Sequence, residues 1–191
     1  MNGGNGWRKF KVARRRLVTH ILQTLAFIAP WPLRPSLHRG RGVKIGKDVY
    51  FGSLVVLDDA YPEYITIEDG VQVSAGAKIV THDSSFHNAF EGKLPTFIGP
   101  VAIKRNAYIG SGALILPGVT IGENSIVGAG AVVTSNIPSR SVAVGVPAKV
   151  VGTVDDKVAK FLSRKGLFLW KYYEAPRQLT EQEKENLKDD L

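Results

Sequence analysis

From Ile103 onward an aliphatic side chain recurs at every sixth position: Ile103, Ile109, Ile115, Ile121, Val127 and Val133. Four residues after each stands a small or branched one: Ala107, Ala113, Val119, Ser125, Ala131 and Ile137. The register extends upstream through Ile67, Val73 and Ile79, and earlier through Ile45, Phe51 and Leu57. A period of six matches neither a helix, at about 3.6, nor a strand, at about 2. It suits a chain that runs straight briefly, turns and repeats, aiming one aliphatic group per face into a shared core. Gly110, Gly122 and Gly128 directly follow such positions, and Gly, Asn and Asp at the corners tolerate unusual backbone angles or close packing. One rung cannot bury its own apolar side, whereas stacked rungs can. The expected fold class is an all-β solenoid, a parallel β-helix, with helical extensions at both ends. A β-sandwich of short strands would not hold so strict a register.

Two interruptions break the repeat. Tyr61-Pro62-Glu63-Tyr64 adds four residues between Leu57 and Ile67, and residues 82–97 lose the register altogether. Long excursions from a regular solenoid are commonly functional. The domain reading is a basic amphipathic helical segment over 1–42, the β-helix over 43–152 with its looped excursion 82–97, and helices over 153–191. A helix is expected over Thr153–Lys165, with Thr153 and Asp156 as its capping pair, and a second after Thr180 with Glu183.

Charge is concentrated at one end. The chain carries a net charge of +8, and residues 1–50 hold eleven Lys and Arg against Asp48 alone. Without aromatic interleaving or a groove-reading helix, this basic segment points away from nucleic acid. Val18, Ile21, Leu22, Leu25 and Ile28 form an apolar stripe at helical spacing. Pro30 and Pro32 end that run well short of the ~20 residues a bilayer crossing requires. Pro-Trp-Pro-Leu-Arg-Pro is a poor signal-cleavage site, so the segment is expected to be retained in a cytoplasmic protein. Two roles fit the segment, and both can hold: a cap on the open end of the solenoid, and a peripheral contact with anionic lipid at the inner face of the membrane. The absence of cysteine excludes disulfides, thiolate metal sites and a Cys nucleophile.

The segments Tyr108-Ile-Gly-Ser-Gly-Ala-Leu-Ile-Leu-Pro-Gly-Val-Thr-Ile-Gly-Glu-Asn-Ser-Ile-Val-Gly-Ala-Gly-Ala-Val-Val-Thr134 and Asn136-Ile-Pro-Ser-Arg-Ser-Val-Ala-Val-Gly-Val-Pro-Ala-Lys149 resemble the signature of the hexapeptide-repeat acyltransferases. Thr81-His82-Asp83 and Gly42-Val-Lys-Ile-Gly46 give the chain the look of the sugar O-acetyltransferases of cell-surface polysaccharides. The resemblance implies a left-handed coil, a homotrimer with active sites between subunits, and direct transfer from acetyl-CoA to an acceptor without a metal. It places the catalytic histidine at His82, at the head of the looped excursion. A sugar hydroxyl is a weak nucleophile, and histidine, with an ordinary pKa of about 6.5, is mostly neutral at neutral pH and free to take its proton.

For the acetyl-CoA co-substrate the matching positions are Ser111, Ala129, Thr134, Ser135 and Lys149. Ser135 stands where many relatives have lysine and Gly152 where some have arginine, so Arg140 is a compensating candidate. On the acceptor side the resemblance implies Asp58, Asp59, His87 and Tyr108, the last replacing a tryptophan; turn formation explains Asp58 and Asp59 equally well. Asp83 is a candidate to orient His82, although neighbours on an extended rung point opposite ways. The expected acceptor is a saccharide or lipid-linked saccharide. Competing readings are N-acetylation of an amino nucleotide-sugar, a non-enzymatic hexapeptide scaffold, and a zinc carbonic anhydrase. The last needs three histidines, and only His82 and His87 lie within the repeat region.

Overall fold

The computed structural model describes residues 17–162. The basic residues 8–16 and the capping pair Thr180/Glu183 lie outside that range. Residues 17–28 are helical (α1), and after a short 3-10 turn comes α2 (Arg34–Gly40). The chain then lays down β1 (Lys44–Ile45), β2 (Tyr50–Phe51) and β3 (Val56–Leu57), one strand in each of three sheets. The next pass repeats the order with β4 (Ile65–Ile67), β5 (Gln72–Val73) and β6 (Lys78–Ile79). The excursion follows as β7 (His82–Asp83), α3 (Ser85–Ala89) and β8 (Phe97–Ile98), with β7 and β8 antiparallel. Rotation through the three sheets resumes with β9 (Val101–Ile103), β10 (Tyr108–Ile109), β11 (Leu114–Ile115), β12 (Thr120–Ile121), β13 (Ile126–Val127) and β14 (Val132–Val133). Finally β15 (Ser141–Val144) and the antiparallel β16 (Lys149–Thr153) finish the second sheet.

The six-residue register becomes three columns of stacked side chains. Ile45, Ile67, Ile103 and Ile121 align in the first sheet; Phe51, Val73, Ile109, Val127 and Ala143 in the second; Leu57, Ile79, Ile115 and Val133 in the third. All of these are buried except the partly buried Ile45. The small residues four places later, Ala107, Ala113, Val119, Ser125, Ala131 and Ile137, are buried as well. Each turn brings the backbone of one rung hard against the next. A Cβ on Gly110 would lie 2.5 Å from the amide nitrogen of Ala129, so only glycine fits there. At another corner Asn106 and Asn124 both take positive φ, and the Asn106 amide donates to the Asn124 side chain at 3.2 Å.

Parallel stacking leaves the first turn with one face that no other turn covers. Backbone groups bond in both directions: Gly46 N–H donates forward to the Ile67 carbonyl, and Gly70 N–H donates back to Lys47. Those carbonyls of the first turn that face backward have no preceding turn to serve them. Side chains from α1, α2 and the residue after α2 take that place. Arg39 donates to the carbonyls of Ile45 and Gly46, Arg34 to Phe51, Gln23 to Val55, and Arg41 to Leu57 and Asp58. Each sheet thus receives one arginine, whose fork of donors suits adjacent carbonyls.

This arrangement also sets which side of α1 is buried. The face of α1 that meets the solenoid carries Thr19, Gln23 and Ala26, all buried. The stripe Val18, Ile21, Leu25 and Ile28 faces outward, with Leu22 half-buried at its edge. Donors, not apolar bulk, were required at the orphaned carbonyls, and that requirement set the rotation of the helix. The helix expected from Thr153 begins at Val154 (α4, Val154–Leu162). The chain divides after Val154 into two compact units, and the described residues of the second belong to α4.

Beneath Arg41 lies His38, buried with its ring 4.9 Å from that of Phe51. Its Nδ1 accepts from Arg41 at 3.1 Å, because a guanidinium can only donate. Burial, then the charges of Arg41 and Arg34, push its pKa from 6.5 down to about 3. Between those values the unfolded chain binds a proton that the folded one refuses. Stability contributed by neutral His38 is therefore intact above pH 6.5 and lost as pH falls towards 3. Chemical denaturation between pH 7 and 5 is expected to show a fall approaching ~1.4 kcal/mol per pH unit from this group, and His38→Gln is expected to flatten it. Gly110→Ala is expected to cost about 1–3 kcal/mol, measured by the same method.

Candidate active site

Both interruptions of the repeat leave the coil at the same corner, between the third and first sheets. One follows Leu57 and the other Ile79, and these two residues are register partners. The inserted segments are therefore stacked on one another, and between them they build a site. Asp58, at the start of the first insertion, is buried with 5% exposure. Its Oδ1 accepts the backbone N–H groups of Ala60 and Tyr61, at 2.9 and 3.1 Å. Its Oδ2 accepts the N–H of Thr81 at 2.8 Å and lies 2.6 Å from Nδ1 of His82. The Tyr61 ring meets the imidazole edge-on at 5.4 Å, and the Thr81 hydroxyl donates to the Tyr61 carbonyl. His82 itself is partly open to solvent, its side chain 30% exposed.

The electrostatics fix the imidazole's tautomer. Burial alone would raise the Asp58 pKa, but the bonds from Thr81, His82 and Tyr61 outweigh it and hold the carboxyl below its usual range. A carboxylate only accepts, so Nδ1 of His82 must carry the hydrogen. In the neutral ring the lone pair is then on Nε2. The Asp58 backbone is fixed in turn by Arg41, which donates to its carbonyl at 3.0 Å.

Other expected site residues fall elsewhere. Asp58 was expected on the acceptor side; the structure places its carboxylate behind the imidazole, saturated by protein donors and out of reach of a ligand. Asp83 does not orient His82: its Oδ1 accepts the Ser85 N–H at 2.8 Å and caps the turn into α3. Asp59 is exposed and pairs with His20 of α1 at 3.3 Å. His87 donates from Nδ1 to the Leu94 carbonyl at 2.6 Å and braces the excursion loop. Tyr108 lies on the second sheet, its hydroxyl accepting from Ser74 at 2.9 Å. All five residues considered for the co-substrate are exposed. Thr134 and Ser135 share the corner of His82 two passes further on, whereas Ser111 and Ala129 stack at the corner between the second and third sheets. Lys149 opens β16. One copy of the chain thus presents these positions on both edges of the third sheet rather than in one cluster.

Tyr61 and the positioning role of Asp58 escaped the sequence reading. The signal was present: counting the register across the first insertion places the residue after Leu57 beside the residue after Ile79.

Known proteins share this arrangement of repeats. Residues 100–135 match the family model described as bacterial transferase hexapeptide (six repeats). A Staphylococcus aureus (strain MRSA252) protein carrying an acetyltransferase name is 38% identical over 148 residues, covering 78% of this chain and 73% of its own length. The galactoside O-acetyltransferase of Escherichia coli (strain K12) is 34% identical over 118 residues, covering 62% of this chain and 57% of the enzyme. Among solved structures, a galactoside acetyltransferase in complex with coenzyme A superposes with a TM-score of 0.57 at 26% identity, over 78% of this chain and 84% of that one. A register of six, a three-sheet rotation and these likenesses agree: the chain belongs to the hexapeptide-repeat family of bacterial transferases and is an acetyltransferase.

Proposed function

We propose that the protein O-acetylates a saccharide by direct transfer from acetyl-CoA, with His82 as general base. The observation that carries the reading is the pair formed by buried, ionised Asp58 and the partly exposed His82, whose Nδ1 is held by the carboxylate so that Nε2 is left as the proton acceptor. Nε2 removes the proton from the acceptor hydroxyl as its oxygen attacks the thioester carbonyl. The C–S bond of the tetrahedral intermediate then breaks, and the imidazolium returns its proton to the departing thiolate. Asp58 touches neither reactant; it is a positioning residue that holds the ring and stabilises its charged form.

Coenzyme A bound to a structural neighbour supports acetyl-CoA as donor, and the galactoside O-acetyltransferase among the relatives supports a saccharide hydroxyl as acceptor. The Gly-rich corners at Ser111 and Ala129 leave room for a slender pantetheine arm, and Thr134, Ser135 and Lys149 supply polar contacts. Since one chain presents these positions on two edges, a cleft between neighbouring copies would unite them. A left-handed coil assembled as a homotrimer, with one site per interface, satisfies that demand.

His82→Ala is expected to lower kcat by about 10²- to 10⁴-fold in an acetyl-CoA assay with saccharide acceptors, leaving the melting temperature near wild type. Full activity in that variant would overturn the mechanism, and N-acetylation without O-acetylation would overturn the acceptor class. Asp58→Asn is expected to lower kcat while KM for acetyl-CoA holds, because it turns an acceptor into a donor facing both Thr81 N–H and Nδ1. An unchanged kcat would remove Asp58 from its positioning role.

A further inference from the structure

The described part of α1 is amphipathic in the wrong sense for a helix that only caps a core. At about 100° per residue, Leu17, Val18, Ile21, Leu25 and Ile28 fall within one arc of about 100°. All five are exposed, Ile28 by 79%. The buried residues Thr19, Gln23 and Ala26 lie on the opposite side. This orientation is locked: Gln23 donates to the Val55 carbonyl and also accepts from buried Arg41. Just beyond the helix, Trp31 and Leu33 add exposed apolar surface, at 59% and 55%. Among the described residues no helix is long and apolar enough to cross a membrane.

Charge identifies the occupant. In sequence, Arg8, Lys9, Lys11, Arg14, Arg15 and Arg16 lead directly into this helix, and no acidic residue precedes Asp48. A second copy of the chain docking through the same face would bring two such basic segments together and be repelled. An anionic bilayer supplies both an apolar interior for the stripe and negative headgroups for the basic segment. We infer that the outward face of α1, with Trp31 and Leu33, lies in the interface of an anionic membrane and holds the protein there as a peripheral enzyme.

The docked helix is joined to the reaction centre. Gln23 contacts Arg41, Arg41 holds the Asp58 carbonyl, and Asp58 holds His82, while His20 of the same helix pairs with Asp59. The corner carrying His82 is therefore kept near the lipid surface. Resting on the proposed function, this favours an acceptor saccharide carried on a lipid.

The test is cosedimentation of the full chain with vesicles, which requires no acetyl transfer. Wild type is expected to bind vesicles containing about 30 mol% phosphatidylglycerol, to bind pure phosphatidylcholine weakly, and to be released as salt screens the headgroups. Ile21→Glu/Leu25→Glu is expected to bind about tenfold more weakly while keeping the wild-type melting temperature and oligomeric state. Replacing the six basic residues by Gln is expected to abolish the preference for anionic vesicles. Binding of the glutamate variant equal to wild type would overturn the proposal, as would a wild type that stays in the supernatant. So would dissociation of the wild-type oligomer by those glutamates, which would make the face a contact between copies.

Discussion

A parallel coil has an end problem that its own repeat cannot solve. Every turn bonds through its backbone to the turns on both sides, so the backward-facing carbonyls of the first turn have no partner within the coil. Leaving such groups buried and unpaired costs about 1–3 kcal/mol each. Arg34, Arg39 and Arg41, with Gln23, answer those carbonyls sheet by sheet. Much else follows from this one demand. It puts a buried guanidinium beside His38, keeps that histidine neutral, and turns the polar side of α1 inward. Three of the basic residues that make the N-terminal segment look like an anion-binding patch are thus employed in backbone hydrogen bonding.

The same economy shapes the reaction centre. Regular rungs present small side chains and saturated backbone, which is a poor setting for acid–base chemistry. Chemistry enters where the repeat is broken, and the two breaks stack because both follow third-sheet strands in register. The first supplies the carboxylate, two backbone donors that anchor it, and the Tyr61 ring; the second supplies the histidine. The cap then holds the carboxylate's own backbone through Arg41. End closure and active site are one continuous hydrogen-bonded structure.

Legibility followed the range of the interactions involved. The alternation of aliphatic and small positions, the corner residues and the two interruptions are local properties, so a repeating parallel coil could be read from spacing alone. His82 stood out because it heads the longer interruption inside a recognisable family pattern. Asp83 was a weaker candidate for its partner, since adjacent residues on an extended strand diverge, and it caps the following turn instead. The resemblance alone puts Asp58 on the acceptor side, and nothing in its immediate neighbours reveals that it is buried.

The sequence by itself determined the register, and with it the fold, because each rung's contribution to the core repeats within six residues. Tertiary structure alone decided the Asp58–His82 pair and the outward face of α1. The pair joins residues 24 positions apart and exists only once two insertions are stacked. The helix could have buried either side, and the unpartnered carbonyls of the first turn, which no local pattern encodes, selected the polar one.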